Sequence, residues 1–154
     1  MMRKDDGMEL RVTKIEKSRQ EEIEIRCHEV TDQVREIVDF VRTRQGKITG
    51  IVDGKQIEVP VVDILYIETV DNRSFLYGAK QVYETKQKLY ELEEQLRAKY
   101  FLRVSRSVLI NLMKVEAIKP ALNGRLIALL SNGEELVISR KYVADMKKTL
   151  KGGI

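Results

Sequence analysis

The chain holds one cysteine, one histidine and no tryptophan in 154 residues, and each scarcity removes a class of chemistry. Cys27 alone cannot close an internal disulfide, and nothing else marks an oxidising compartment, so the cytoplasm is the expected location. His28 follows Cys27 directly; neighbours on a strand point to opposite faces, and no second His or Cys completes a metal site. A buried thiol beside a solvated imidazole is the expectation, with no metal and no cofactor. A serine nucleophile such as Ser105 would have to borrow His28 from the far end of the chain, which argues against triad chemistry. Glu93 and Glu94 are helix neighbours that point apart, a solvated face rather than an acid/base pair. Gly46, Gly50 and Gly54 fit neither a phosphate loop nor a dinucleotide fingerprint. Apolar runs stop at four or five residues, far short of the roughly 18 to 20 that cross a bilayer. The opening MMRKDDG leads into no apolar stretch, so no secretory signal is read there. Aromatics are limited to six Tyr and three Phe. Strand alternation places Tyr66, Phe75 and Tyr77 partly in the core, leaving no stacking platform for single-stranded nucleic acid.

What is present is a chain with 43% hydrophobic and 34% charged residues, the balance of a globular protein with a real core. Its length suits one domain with a small attachment. The net charge of +4 is unevenly spread: residues from 101 onward carry ten Lys or Arg against four Asp or Glu, while the first 100 carry 18 against 20. A basic C-terminal portion is compatible with a polyanion-facing surface, or with no more than a lysine-rich tail.

Periodicity reads as mainly β with short helices. EIEIRC (22–27) alternates Ile23, Ile25 and Cys27 against charged residues, predicting a half-buried strand, with MELRVTKI before it as a partner. Val34, Ile37, Val38 and Val41 follow Thr31 at helical spacing, Thr31 serving as N-cap and Gly46 as stop. Asp53-Gly54 joins two β-prone runs, VVDILYIET is a further strand, and SFLYGAKQVYET predicts a hairpin. Leu89, Leu92 and Leu96 predict a short amphipathic helix, with Glu93 four residues before Arg97 as a supporting pair. Asn-Gly at 123–124 and again at 132–133, either side of RLIALLS, predicts an antiparallel meander with type I′ turns. A last helix would turn Tyr142, Val143, Met146 and Leu150 inward and end at Gly152-Gly153.

Three polar, arginine-bearing segments interrupt this pattern. RVSRS brings Arg103, Ser105, Arg106 and Ser107 into five residues between apolar runs. DNRSF sets Asn72, Arg73 and Ser74 in a turn after a buried strand. Ser139 is a natural N-cap, yet Arg140 and Lys141 follow at once, where the macrodipole disfavours cations by ~0.3 to 1 kcal/mol each. A hydroxyl, free N–H groups and two cations at one helix start suit a phosphate. Arginine can also take the guanine edge with two hydrogen bonds.

In order and spacing, DILYIE ending at Glu68, FLRVSRSVLINLMKVEAI, and NGEELVISRKYVADMKKTL resemble the LytTR-type DNA-binding domain, an output module of bacterial regulators, from about Gly46 to Leu150. The resemblance implies an elongated fold of stacked antiparallel β-sheets whose loops, rather than a recognition helix, enter successive major grooves of bent DNA. Carried over by position, it implies DNA contacts from Asn72, Arg73 and Ser74, from Arg103, Ser105, Arg106 and the adjoining Ser107, and from Ser139, Arg140 and Lys141. Arg106 and Arg140 are the firmest of these, because the loop residues around Arg73 and Ser74 vary within the family.

The expectation is therefore a bacterial transcription regulator that binds double-stranded DNA without catalysis, two copies lying on repeated half-sites as a homodimer. The competing class is a protein-interaction module whose basic loops meet acidic surfaces. Residues 46–154 form the DNA-binding domain in this reading. Residues 1–45, too few for a receiver domain, form a strand-strand-helix extension that dimerises or docks a partner, a membrane protein holding the regulator inactive being one such partner.

Overall fold

The computed structural model describes residues 7–44 and 46–151. Ten strands and three α-helices alternate in the order α1 (Asp32–Arg44), β1 (Lys47–Val52), β2 (Lys55–Pro60), β3 (Ile64–Val70), β4 (Arg73–Gly78), β5 (Val82–Thr85), α2 (Leu89–Leu96), β6 (Phe101–Arg103), β7 (Val108–Asn111), β8 (Val115–Pro120), β9 (Leu126–Leu130), β10 (Glu135–Ile138) and α3 (Arg140–Lys151). The strands form a seven-stranded sheet ordered β2-β1-β5-β4-β3-β7-β6 and a three-stranded sheet ordered β10-β9-β8. Every pairing is antiparallel.

The β3 sequence ILYIETV explains the layering. Its first four residues are all buried, as expected of a strand covered on both faces. Ile64 and Ile67 face a core shared with Leu76, Leu109 and the α2 residues Leu89, Leu92 and Leu96. Leu65 and Tyr66 belong to a second core with Ile110, Leu126, Ala128, Leu130, Ile138 and Met146. The second core joins the large sheet to the small one and to α3. Tyr142, Val143 and Leu150 pack on it as the helical spacing predicts, while the Gly152-Gly153 stop lies outside the described residues. Asn111, 2% exposed, is satisfied at this layer: its amide donates to Ile64 O at 2.8 Å and its oxygen accepts from Met113 N at 3.0 Å.

Tight turns set the register. Asp53 and Gly54 both have positive φ, 51° and 73°, the type I′ geometry that joins β1 to β2. Gly50 allows a close approach instead: a Cβ there would lie 2.8 Å from Tyr83 Cβ on the neighbouring β5. Asn123 and Gly124 also take positive φ, 61° and 75°. At 132–133 the expected hairpin forms, but only Gly133 has positive φ. Leu130 N donates to Glu134 O at 2.8 Å and Gly133 N to Leu130 O at 2.9 Å, so the connection spans three residues with glycine in the left-handed position.

Three further expectations are corrected. No strand forms over 22–27 or over MELRVTKI; the alternation is real, but Leu10, Val12 and Ile23 are 91%, 88% and 69% exposed and meet no sheet face. Cys27 is exposed rather than buried for the same reason. The helix of the extension does form, with Thr31 Oγ1 accepting from Val34 N at 3.3 Å, although Ile37 stays exposed. Arg42 ties that helix to Asp63 at 2.9 Å. Finally, α2 ends at Leu96, so Glu93 does not pair with Arg97; Arg97 pairs with Glu94 at 3.6 Å.

Candidate nucleic-acid interface

The RVSRS segment is the link between β6 and β7, and three backbone bonds fix its path. Val104 N donates to Val108 O at 3.0 Å, closing the loop on itself. Thr69 N, at the end of β3, donates to Ser107 O at 2.8 Å, and Ser139 N, just before α3, donates to Val104 O at 2.8 Å. The three segments separated by long stretches of sequence are thus joined at main-chain level. The joints are made by backbone groups, with Val104 and Val108 buried in the second core beneath them.

The side chains divide into supports and projections. Arg103 is a support: only 19% of its side chain is exposed, Nη2 pairs with Glu93 at 3.2 Å, and Nη1 donates to Arg106 O at 2.5 Å. Its Nε is buried without a hydrogen-bond partner. The guanidinium therefore anchors the loop to α2. Ser105 Oγ accepts from Ser107 N at 3.2 Å, a local turn that shapes the same loop. Arg106, between the two serines, is exposed.

At the β3–β4 end, the turn is only Asp71 and Asn72, both with positive φ (51° and 64°). Asn72 sits exposed at its tip, but Arg73 and Ser74 already belong to β4. Arg73 grips Glu84 of β5 with Nε at 3.0 Å and Nη2 at 2.5 Å, and lies over the Phe75 ring at 5.4 Å. This pairing holds the Glu84 carboxyl below its ordinary value of 4.5. Ser74 is 3% exposed and shares a hydrogen bond with Thr69 at 3.2 Å. Ser74 is thus withdrawn from the surface, while Arg73 keeps 61% of its side chain exposed beside Glu84.

At the helix start, Ser139 is half-buried and its carbonyl accepts from Tyr142 N at 2.8 Å. Arg140 and Lys141 are exposed; Lys141 lies over its neighbour Tyr142 at 5.8 Å from the ring centroid. Among the described residues, no carboxylate pairs with Arg106, Arg140 or Lys141. The stem of Arg140 crosses the Asn123-Gly124 turn, where a Cβ on Gly124 would stand 3.1 Å from Arg140 Cδ. That fourth segment, with exposed Arg125 beside it, was not singled out from sequence. Asn-Gly reads as a hairpin signal, and nothing local announces that it will meet α3.

Behind the loops the layers are pinned by tyrosines. Tyr66 and Tyr77 stack with ring centroids 4.3 Å apart and planes 9° from parallel. Tyr66 Oη donates to Glu134 in the β9–β10 connection at 2.9 Å, and Tyr77 Oη donates to Glu68 at 3.4 Å. Burial and the nearby carboxylate push the Tyr66 hydroxyl well above its ordinary value of 10.

No helix among the described residues is long and apolar enough to cross a membrane, and no group of three or more His, Cys, Asp or Glu among them could hold a metal.

A model of the LytTr DNA-binding domain family matches residues 54–151. Among solved structures, a LytTr DNA-binding domain from Bacillus cereus superposes with a TM-score of 0.65 at 26% identity, covering 68% of this chain and 96% of that one. The sensory transduction protein LytT of Enterococcus faecalis is 32% identical over 87 residues, 56% of this chain and 36% of that protein. LytT of Bacillus cereus is 28% identical over 140 residues, 90% of this chain and 53% of that protein, so the chain spans about a third to about half of these LytT relatives. A protein of Staphylococcus aureus named as an uncharacterized HTH-type transcriptional regulator is 25% identical over 130 residues, 83% of this chain and 88% of its own length. With most of the body from β2 to α3 inside the match and the fold shared, the chain belongs to the LytTR DNA-binding domain family.

Proposed function

We propose that the chain is a transcription regulator that binds duplex DNA through the joined loops, with residues 46–154 as the reading body and 1–45 as an extension. Arg106 is assigned to a base edge, where a guanidinium can form two hydrogen bonds to guanine. Arg140 is assigned to the adjacent groove. Lys141, the hydroxyl of Ser139 and the first N–H groups of α3 are assigned to phosphates, which the helix end favours electrostatically. Asn72 reaches DNA from the edge of the same surface. Arg103 holds the loop that carries Arg106, Ser74 stiffens the β3–β4 hairpin, and Arg73 ties β4 to β5.

The observation that carries this reading is the Ser139-to-Val104 bond, 2.8 Å long. It sets the Arg106 loop and the cationic start of α3 side by side, with three cations paired with no acid among the described residues. Two copies on half-sites about one or two helical turns apart would then address one DNA face.

The test is a fluorescence-anisotropy titration of the purified protein with duplex from its own upstream region and with a scrambled duplex, at two salt concentrations. Preference for the native duplex that survives higher salt is expected. With some five phosphates contacted, log K should fall against log salt with a slope of roughly −4 to −5. Equal, salt-abolished binding to both duplexes would favour a protein-interaction surface instead.

A further inference from the structure

Half of the exposed large apolar side chains of the described residues, eight of sixteen, fall between Met8 and Phe40. That density singles out the segment before the sheets, since isolated surface apolars are normal but a concentration marks a contact. Five of the eight lie in two arms ahead of α1, residues 8–16 and 20–27, which carry neither helix nor strand and are joined by a turn in which Arg19 N donates to Glu16 O at 3.0 Å. Their ion pairs run between residues two apart, Arg11 with Glu9 and Arg26 with Glu24, each at 3.3 Å. Pairs at that spacing form on one side of an extended backbone. Over residues 9–12 and 22–26 charged and apolar positions thus alternate, Leu10 and Val12 standing opposite the ion pair of the first arm and Ile23 and Ile25 opposite that of the second. Yet no strand forms, and no backbone hydrogen bond joins the arms among the described residues.

The arms are also opposite in charge. Residues 8–19 carry four cations against two acids, and residues 20–29 carry four acids against one cation. We infer that these arms are a dimerisation device: the first arm of one copy pairs antiparallel with the second arm of another, and the reverse pair forms by symmetry. A two-fold interface requires a surface that complements itself, and a positive arm joined to a negative arm meets that requirement. Folded back within one chain, the arms would make a two-stranded ribbon with its apolar side still in water, which is marginal; exchange between two copies makes a four-stranded unit that can bury that side. The inference does not rest on the DNA reading, and its test contains no DNA.

The test uses the full chain in sedimentation equilibrium with two charge-reversed variants, Arg11→Glu/Lys14→Glu and Glu22→Lys/Glu24→Lys. All four side chains are exposed in the single chain, so the folded body is left intact, as circular dichroism would verify. The wild type is expected to sediment at twice 17.9 kDa. Each variant alone has two arms of like charge and is expected to weaken the dimer at least tenfold; an equimolar mixture, in which each arm again meets its opposite, is expected to restore it. A wild type that stays at 17.9 kDa into the high micromolar range overturns the inference. So do variants that dimerise as well as the wild type, or a mixture that stays monomeric.

Discussion

Ser139 N donates to Val104 O at 2.8 Å, and through this one bond the start of α3 is held against the β6–β7 loop. Replacing Ser139 with proline deletes the donor without touching any charge. A buried carbonyl left unsatisfied costs about 1–3 kcal/mol, so urea unfolding should show a loss of that size. DNA affinity should fall more for the preferred duplex than for the scrambled one, because the positions of Arg106 and Arg140 relax together.

Arg106 and Lys141 should separate in their effects. Arg106→Ala is expected to weaken the best duplex by about 1–3 kcal/mol and to flatten the preference at the base it reads. Lys141→Ala should weaken all duplexes equally and reduce the salt slope by about one. Titrations against a panel of single-base variants check both, and an unchanged preference profile for Arg106→Ala would remove its assignment.

Arg103 should behave as a support rather than a reader. Its pairing with Glu93 at 3.2 Å and with the Arg106 carbonyl makes Arg103→Ala destabilising by about 1.5–3 kcal/mol, the range for hydrogen bonds to a charged group. Glu93→Gln, which weakens the same pairing, should reproduce part of that stability loss while leaving base preference intact. A shift in preference for Arg103→Ala with unchanged stability would instead return Arg103 to the reading surface.

The Tyr66 hydroxyl, which donates to Glu134 at 2.9 Å, links the two sheets. Its pKa is raised in the folded state above the ordinary value of 10, chiefly by burial and then by Glu134. The folded chain therefore holds this proton more tightly than the unfolded chain. Its stabilisation is complete below pH 10 and is lost as pH rises above that value. Tyr66→Phe should cost about 0.5–1.5 kcal/mol near neutrality and make the alkaline fall in stability shallower, as unfolding curves from pH 8 upward would report.

Much of the fold was legible because local and long-range signals agreed. The spacing of Leu89, Leu92 and Leu96, the Asp53-Gly54 turn and the alternation in SFLYG each need only near neighbours to be read, and each matches a buried face or a turn in the structure. EIEIRC carries the same alternation and forms no strand, because a strand also needs a partner edge, and among the described residues it pairs with none. The site divided along the same line. Arg106, Arg140 and Lys141 project from their segments as their positions suggested. Ser74 and Arg103 do not, since Thr69 across the hairpin and Glu93 of α2 claim them, while Arg73 stays exposed but paired with Glu84 of β5.

The Tyr66–Tyr77 stack, with centroids 4.3 Å apart, sits in a protein without tryptophan. Near-ultraviolet optical activity must therefore come from tyrosine and phenylalanine, and two coupled phenols held nearly parallel should dominate it. The band doubles as a gauge of whether the small sheet is seated on the large one: it should fade when that docking loosens, even while far-ultraviolet signals of the strands persist. Duplex DNA is transparent above about 300 nm but not at this band, so the gauge serves the free protein, where the joined loops are either assembled before DNA arrives or not.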